Sequence, residues 1–427
     1  MSPRNTLAWR LAAVVGTASL VLAACSDDSG TSNASSGEDG GNDSEEVQRE
    51  VSGQLHLGTL LPETGSLEFL GPPLFAGVDL AVQDVNAAGG VGGQEIVVTH
   101  RDSHDTSTDT AVQGAEELIG QGVSAIIGPA SSAVSMTVID QITGSGTVMV
   151  SPSNTATSFT DYPDDGMYFR TAPSDVLQGR VLGELVRSDG HDDVGIMALD
   201  DAYGDGLAEN VSAAVEEDGG TIVDQIRYDP QGASFTTEVT QMVTARPEAL
   251  VLIGFVETLS ILPELEAQGI GPQDLPVYFV DGNLSNYGED LPEGFLAGTK
   301  GTLPGSDAGE EFQQRLLDVN PDLNDFSYAA EAYDAVILTA LSAMSAGSFQ
   351  PQDISDAMVE VSRNGTECTS FEECAQLLQN GEDIDYNGVS GPITFSPDGD
   401  ITEGSVGIYQ YGEDNTYENI EYRSGTL

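Results

Sequence analysis

The sequence predicts an α/β fold of two doubly wound, Rossmann-like lobes joined by a multi-stranded hinge. Three observations carry this. From Gln54 onward, short β-branched runs alternate with longer helical patterns, the mark of parallel strands linked by crossover helices. After Phe169-Arg170-Thr171-Ala172-Pro173-Ser174 the same alternation starts again. The chain of 427 residues is long enough for more than one core.

In order along the chain, Arg4 and Arg10 precede an apolar run over 11–24 that is too short to span a bilayer comfortably. Residues 1–24 read as an export signal ending in Leu22-Ala23-Ala24-Cys25, which resembles a bacterial lipoprotein signal and implies that Cys25 carries the lipid. Residues 25–52 are Ser, Gly, Asp, Asn and Glu with almost no apolar side chain, so they read as a disordered acidic tether.

The first lobe opens with a strand at 55–61, a helix from Pro72-Pro73 through Asn86, the turn Gly89-Gly90-Val91-Gly92-Gly93 and a strand at 95–101. A helix at 106–119 follows, with Ala111, Ala115, Leu118 and Ile119 on one face, then strand 125–127, helix 133–143 and strand 148–150. The second lobe alternates helix 176–188, strand 194–198, helix 206–217, strand 221–227, helix 235–245, strand 249–253, helix 259–268 and strand 277–280. Tyr328, Ala332, Val336 and Ala340 stand at helical spacing without neighbours of their own, so this helix is expected to return to the first lobe. The tail reads as a hairpin over 391–400 followed by a strand at 405–411. The expected division is 53–172 with 300–388 for the first lobe and 173–299 with 389–427 for the second.

Two such lobes form a hinged clamp with a cleft at the carboxyl ends of both sets of strands. Within the first lobe, Ile126-Ile127-Gly128-Pro129-Ala130-Ser131-Ser132 and Val148-Met149-Val150-Ser151-Pro152-Ser153-Asn154-Thr155 each carry an apolar strand into a cluster of small hydroxyl residues. Hydroxyls and helix-start amides both donate hydrogen bonds, so two such tips side by side suit a carboxylate. Helix capping is the ordinary use of the same hydroxyls, and both roles can coexist at a helix start.

The ordered motifs resemble the type I periplasmic solute-binding proteins of ABC transporters, the branched-chain amino acid group in particular. The resemblance spans nearly all of 54–411 and rests on Leu61-Pro62-Glu63-Thr64-Gly65, Asn86-Ala87-Ala88-Gly89-Gly90-Val91, Ile127-Gly128-Pro129, Ser151-Pro152-Ser153-Asn154-Thr155 and Tyr203-Gly204. It implies the periplasmic binding protein-like I fold and, by position, a carboxylate site at Ser132, Ser153 and Thr155, with Asn154 in the same cluster. It further implies an ammonium site at Asp281, directly after strand 277–280, with Glu257 the next candidate and Tyr203 contacting the ligand from the second lobe. Leu70, or its neighbour Phe69, and Phe255 would shape the side-chain pocket. Both regions depart from the family pattern: an aromatic residue is usual near Leu70, and Gly254-Phe255-Val256-Glu257 is shorter than its counterpart.

No enzyme signature accompanies these motifs. His56, His100, His104 and His191 stand beside no nucleophile-bearing turn, and there is no phosphate-binding Gly-rich loop. The run from His100 to Asp105 has the wrong setting for a metal, since Arg101 would repel a cation. No cofactor is expected. Cys368 and Cys374 suggest a local disulfide in an exported chain. The expected function is capture of a small zwitterionic solute, an amino acid, for an ABC permease, at a membrane reached through the lipid anchor. Urea, an amide or an aromatic acid on the same fold, and a surface sensor, are the alternatives.

The net charge is −57, from 70 acidic residues against 13 basic, and Lys300 is the sole lysine. A field of this sign repels nucleic acid and anionic lipid. Only eight of the acids lie between Ser26 and Glu50, so the folded body carries most of the charge. Acids spread along the chain fit a salty medium, where screening relieves their mutual repulsion, better than they fit one cationic ligand. The melting temperature should therefore fall as salt is lowered below about 0.1 M, where the screening length exceeds ~10 Å and the acids repel one another over longer distances; a melting temperature indifferent to salt contradicts this.

Overall fold

The computed structural model describes residues 53–427. The signal, the tether and Cys25 lie outside the described residues. From its start the chain lays down β1 (His56–Leu61), α1 (Gly71–Ala87), β2 (Val97–Asp102), α2 (Thr110–Gly120), β3 (Ala125–Ile127), α3 (Ser132–Gly144), β4 (Val148–Ser151) and β5 (Tyr168–Arg170). The five strands are all parallel, in the order β2-β1-β3-β4-β5. β3 and β4 are buried along their whole length, as the continuous apolar runs of central parallel strands require.

The second lobe continues with α4 (Asp175–Ser188), β6 (Asp193–Leu199), α5 (Ala202–Glu217), β7 (Thr221–Tyr228), α6 (Thr236–Ala245), β8 (Ala249–Ile253), α7 (Thr258–Ala267), β9 (Val277–Phe279) and β10 (Lys300–Pro304). The chain then forms α8 (Gly309–Val319), α9 (Ala329–Ala346), α10 (Pro351–Met358), β11 (Thr366–Cys368), α11 (Phe371–Gln379), β12 (Ile384–Gly388) and β13 (Gly391–Pro392). It ends in β14 (Glu403–Tyr411) and β15 (Tyr417–Thr426). The second sheet has seven strands in the order β15-β14-β10-β9-β8-β6-β7, parallel from β10 to β7 with an antiparallel hairpin on the β10 edge. β11, β12 and β13 make a small third sheet.

α9 does return to the first lobe, packing on α1, β3 and β4. Every residue from Ala329 to Ala343 is buried, which explains why the stretch is mostly apolar on all faces, with Glu331, Asp334, Thr339 and Ser342 as buried polar exceptions. No single described helix is long and apolar enough to cross a membrane. Cys368 and Cys374 are joined in a disulfide between β11 and α11.

The boundary expected at 300 falls later. Lys300–Pro304 pairs with β9 and β14 and belongs to the second sheet, so the chain leaves it only after Pro304. The return expected at 389 also falls later, because Gly391–Pro392 pairs with β12. β5 lies where the sequence suggested only a connection. β15 went unseen because most of its residues are exposed and polar, leaving no apolar period to read.

One buried ion pair ties the crossing segments to the first sheet. Arg170, fully buried at the end of β5, grips Asp400 with Nε to Oδ1 at 2.6 Å and Nη2 to Oδ2 at 2.8 Å. The same guanidinium donates to the carbonyls of Asn154 at 3.4 Å and Ala156 at 2.8 Å, which fixes the loop after β4. Such a pair contributes positioning, and removing one partner strands the other charge in the interior. Arg170→Met should cost about 3–5 kcal/mol of unfolding free energy in a urea titration, and a loss below about 1 kcal/mol would show that the loop is held by other contacts.

Candidate functional site

Seven side chains named from the sequence are brought to one cavity between the lobes: Leu70, Ser132, Ser153, Thr155, Tyr203, Phe255 and Asp281. The first-lobe half is built by the loops after β3 and β4. Gly128 turns the chain with φ +111°, and a Cβ there would lie 2.2 Å from the Leu60 carbonyl oxygen, so only glycine lets the loop sit over β1. Ser131 is the N-cap of α3, its Oγ accepting from Val134 N at 3.4 Å. Capping thus falls to Ser131, and Ser132 opens the helix with first-turn amides that have no intrahelical carbonyl. Ser151 braces the neighbouring loop, its Oγ donating to the Pro129 carbonyl at 2.8 Å and accepting from Asn154 N at 3.0 Å. Ser153 and Thr155, on either side of Asn154, line the cavity.

The second-lobe half hangs from β6, β8 and β9. Tyr203 sits in the first turn of α5, capped by Asp201, whose Oδ1 accepts from Gly204 N at 2.8 Å. A Cβ on Gly204 would meet the Leu199 carbonyl oxygen at 2.1 Å, which is the physical reason for the Tyr-Gly pair. The ring of Tyr203 stacks on Phe255, centroids 5.5 Å apart and planes at 9°.

Asp281 follows β9 and is 6% exposed. Its Oδ1 accepts from Tyr203 Oη at 2.6 Å and Gln178 Nε2 at 2.9 Å, and its Oδ2 from Tyr328 Oη at 2.7 Å. Burial pushes the Asp281 pKa above the usual carboxylate range, while the donors from Tyr203, Tyr328 and Gln178 pull it part of the way back. Asp175, fully buried at the start of α4, feels the Asp281 charge. Burial first, then Asp281, push its pKa well above the ordinary value.

Two residues named from the sequence are turned to other tasks. Asn154 lies behind the cavity, its Nδ2 donating to the carbonyls of Pro129 and Ala130 at 3.2 and 2.8 Å and its Oδ1 accepting from Tyr168 Oη at 3.0 Å. Glu257 closes its own loop, its Oε1 accepting from Phe255 N at 2.8 Å and Tyr228 Oη at 2.9 Å. Neither lines the cavity. Polar residues beyond strand ends serve ligand and loop alike, and spacing alone does not separate the two uses.

The site also contains residues that sequence reasoning passed over. Leu67 joins Leu70 on the apolar wall, while Phe69 faces an outer groove with Phe75 and Asp79. Tyr328 reaches Asp281 from the start of α9, making a hydrogen bond from the first lobe to the second. Its backbone is left-handed, φ 59° and ψ 9°, a costly state for a bulky residue that occurs where surrounding contacts impose it. A tyrosine at the start of a mostly apolar helix was the available signal.

His100 Nδ1 meets Thr59 Oγ1 at 2.8 Å, and Arg101 pairs with Glu117 at 2.7 Å. No group of three or more His, Cys, Asp or Glu is placed to hold a metal among the described residues.

Residues 54–415 match the family model described as periplasmic binding protein. The chain is 27% identical over 354 residues to the chemotactic signal transduction system substrate-binding protein BasB of Halobacterium salinarum, covering 80% of this chain and 83% of that protein. It is 25% identical over 363 residues to Leu/Ile/Val-binding protein homolog 3 of Brucella melitensis, covering 84% and 92%. In structure it resembles the branched-chain amino acid transporter substrate-binding protein LivJ of Streptococcus pneumoniae in complex with isoleucine, with TM-score 0.69, 21% identity and coverage of 88% and 100%. It also resembles an ABC transporter solute-binding protein of R. palustris in complex with 4-hydroxybenzoate, with TM-score 0.71, 18% identity and coverage of 87% and 97%. The relatives are binding proteins and not enzymes. With two lobes meeting over a shared cavity and a family match across almost the whole described body, the chain belongs to the periplasmic binding proteins of type I.

Proposed function

We propose that this chain is an extracytoplasmic lipoprotein, anchored through Cys25, that captures an amino acid between its lobes and delivers it to an ABC permease. The observation that carries the reading is the placement of Asp281 and the Ser132, Ser153 and Thr155 hydroxyls on the walls of one cavity. Hydroxyls and helix-start amides serve the ligand carboxylate from the first lobe. Asp281 serves the ammonium from the second lobe, positioned by Tyr203 and Gln178. Leu67, Leu70 and Phe255 supply apolar surface for a branched side chain, in keeping with the Leu/Ile/Val-binding relatives.

The cavity measures about 20 Å³, room for roughly one water molecule. An amino acid therefore enters by parting the lobes and breaking the Tyr328 to Asp281 hydrogen bond. Binding favours closure only to the extent that the ligand's contacts with both lobes exceed that contact.

Two further readings have support of their own. The stacked Tyr203 and Phe255 rings would also accept an aromatic acid, such as the one held by the R. palustris neighbour. A sensor role is favoured by the chemotactic relative.

Calorimetry with a panel of amino acids and amides, on the full chain and on Asp281→Ala, tests the assignment. An aliphatic amino acid should bind, and the substitution should weaken it at least tenfold, since a hydrogen bond to a charged group contributes about 1.5–3 kcal/mol. Affinity should also fall on acidification through the raised Asp281 pKa, because the protonated acid no longer offers a charge to the ammonium. No binding by any zwitterion, or unchanged affinity in the variant, would sink the assignment.

A further inference from the structure

A larger cavity of about 380 Å³ lies behind Tyr328, outside the cleft, where the segment leaving β10 and the loop before α9 meet the β14–β15 hairpin. Its walls therefore come from both lobes. Glu331, in the first turn of α9, lines it and is only 4% exposed. Among the described residues no other residue donates a hydrogen bond to the Glu331 carboxyl. A Cβ on Gly305, where φ is +120°, would lie 2.5 Å from Glu331 Oε1, so glycine is needed at this wall for the carboxyl to occupy its place.

The aromatic side of the cavity is formed by Tyr409, Tyr417 and Tyr422. Tyr409 meets Tyr417 edge to face with centroids 5.3 Å apart, and the hydroxyls of Tyr409 and Tyr422 are 3.3 Å apart. Asp325 and Asp307 also line the cavity, and no Lys, Arg or His does. Asp325 is already engaged, accepting from Tyr417 Oη at 2.8 Å and from Ser327 N at 2.7 Å. Asp307 accepts from Gly309 N at 2.9 Å. Glu331 alone among these acids has no partner residue.

We propose that this cavity is a second binding site, for a small organic ammonium cation whose charge faces Glu331 and whose alkyl groups lie against the tyrosine faces. The chemistry follows from the walls. A carboxyl supplies the counter-charge, and tyrosine π-faces attract a cation within about 6 Å of the ring centroid. An anion is disfavoured by three acids with no base, and a purely apolar guest would leave Glu331 buried and unpaired. Burial pushes the Glu331 pKa up to about 8, against the pull of Glu331's own amide and with Asp334 adding to the rise, so the carboxyl carries its full counter-charge only above that pH and below it takes up the cation by releasing a proton.

The probe is tetramethylammonium chloride, titrated calorimetrically into the full chain at constant ionic strength, with sodium chloride as the control. The matched variant is Glu331→Gln, which keeps the shape and removes the charge. Saturable heat with the wild type, a melting temperature that rises with tetramethylammonium beyond the sodium control, and at least tenfold weaker binding by Glu331→Gln are expected. The wild-type titration stands alone if the variant misfolds. Absence of saturable heat overturns the proposal, as does a response that sodium chloride reproduces, which is screening of the acidic surface. Undiminished binding by a folded Glu331→Gln also overturns it.

Discussion

A carboxylate placed beyond a buried strand must find donors, and at Asp281 they come from three separate elements. Gln178 reaches it from α4, Tyr203 from α5 and Tyr328 from the start of α9. The first two belong to the second lobe and the third to the first, so satisfying one buried acid also holds the two lobes together. Much of the local structure can be traced to this need. The Tyr-Gly turn seats Tyr203, and the left-handed backbone of Tyr328 aims its hydroxyl across the cleft.

The facing half of the cleft has the complementary character. Ser131 takes over the capping of α3, Ser151 braces the loop after β4, and Arg170 clamps that loop to Asp400 from below. Each of these is a structural group, and together they leave Ser132, Ser153 and Thr155 presented to the cavity. The lining hydroxyls also serve the backbone, Ser132 Oγ accepting from Ala156 N at 3.4 Å and Ser153 Oγ donating to the Ala130 carbonyl at 3.3 Å, so a ligand carboxylate would have to draw the Ser153 proton away from that carbonyl. A clamp of this kind turns ligand contacts into closure only by replacing the Tyr328 to Asp281 bond with something stronger.

How much of this could be read in advance depended on whether a residue's environment was set locally. The alternation of strands and helices, the hydroxyl tips at Ser132 and Thr155 and the acid after β9 follow from short windows of sequence. The role of Tyr328 did not, because its hydroxyl finds Asp281 only when distant segments meet. Asn154 and Glu257 carried the same local signal as the lining residues, and hydrogen bonds to distant groups, the Ala130 carbonyl for Asn154 and the Tyr228 hydroxyl for Glu257, help to turn them inward. β15 was illegible for the opposite reason, since an exposed polar strand has no apolar period. The cavity behind Tyr328 is assembled from α9, the segment after β10 and the last hairpin, which no single stretch of chain would suggest.

The central claim is that both ends of a zwitterion are gripped, one by each lobe. Affinities of leucine, leucinamide and 4-methylpentanoate, measured side by side on the full chain, address it directly. Leucinamide keeps the ammonium and loses the carboxylate, and 4-methylpentanoate does the reverse. Both should bind at least tenfold more weakly than leucine, by the ~1.5–3 kcal/mol of each charge-assisted contact removed. Equal or tighter binding of 4-methylpentanoate would contradict the account, because Asp281 would then have no ammonium to serve.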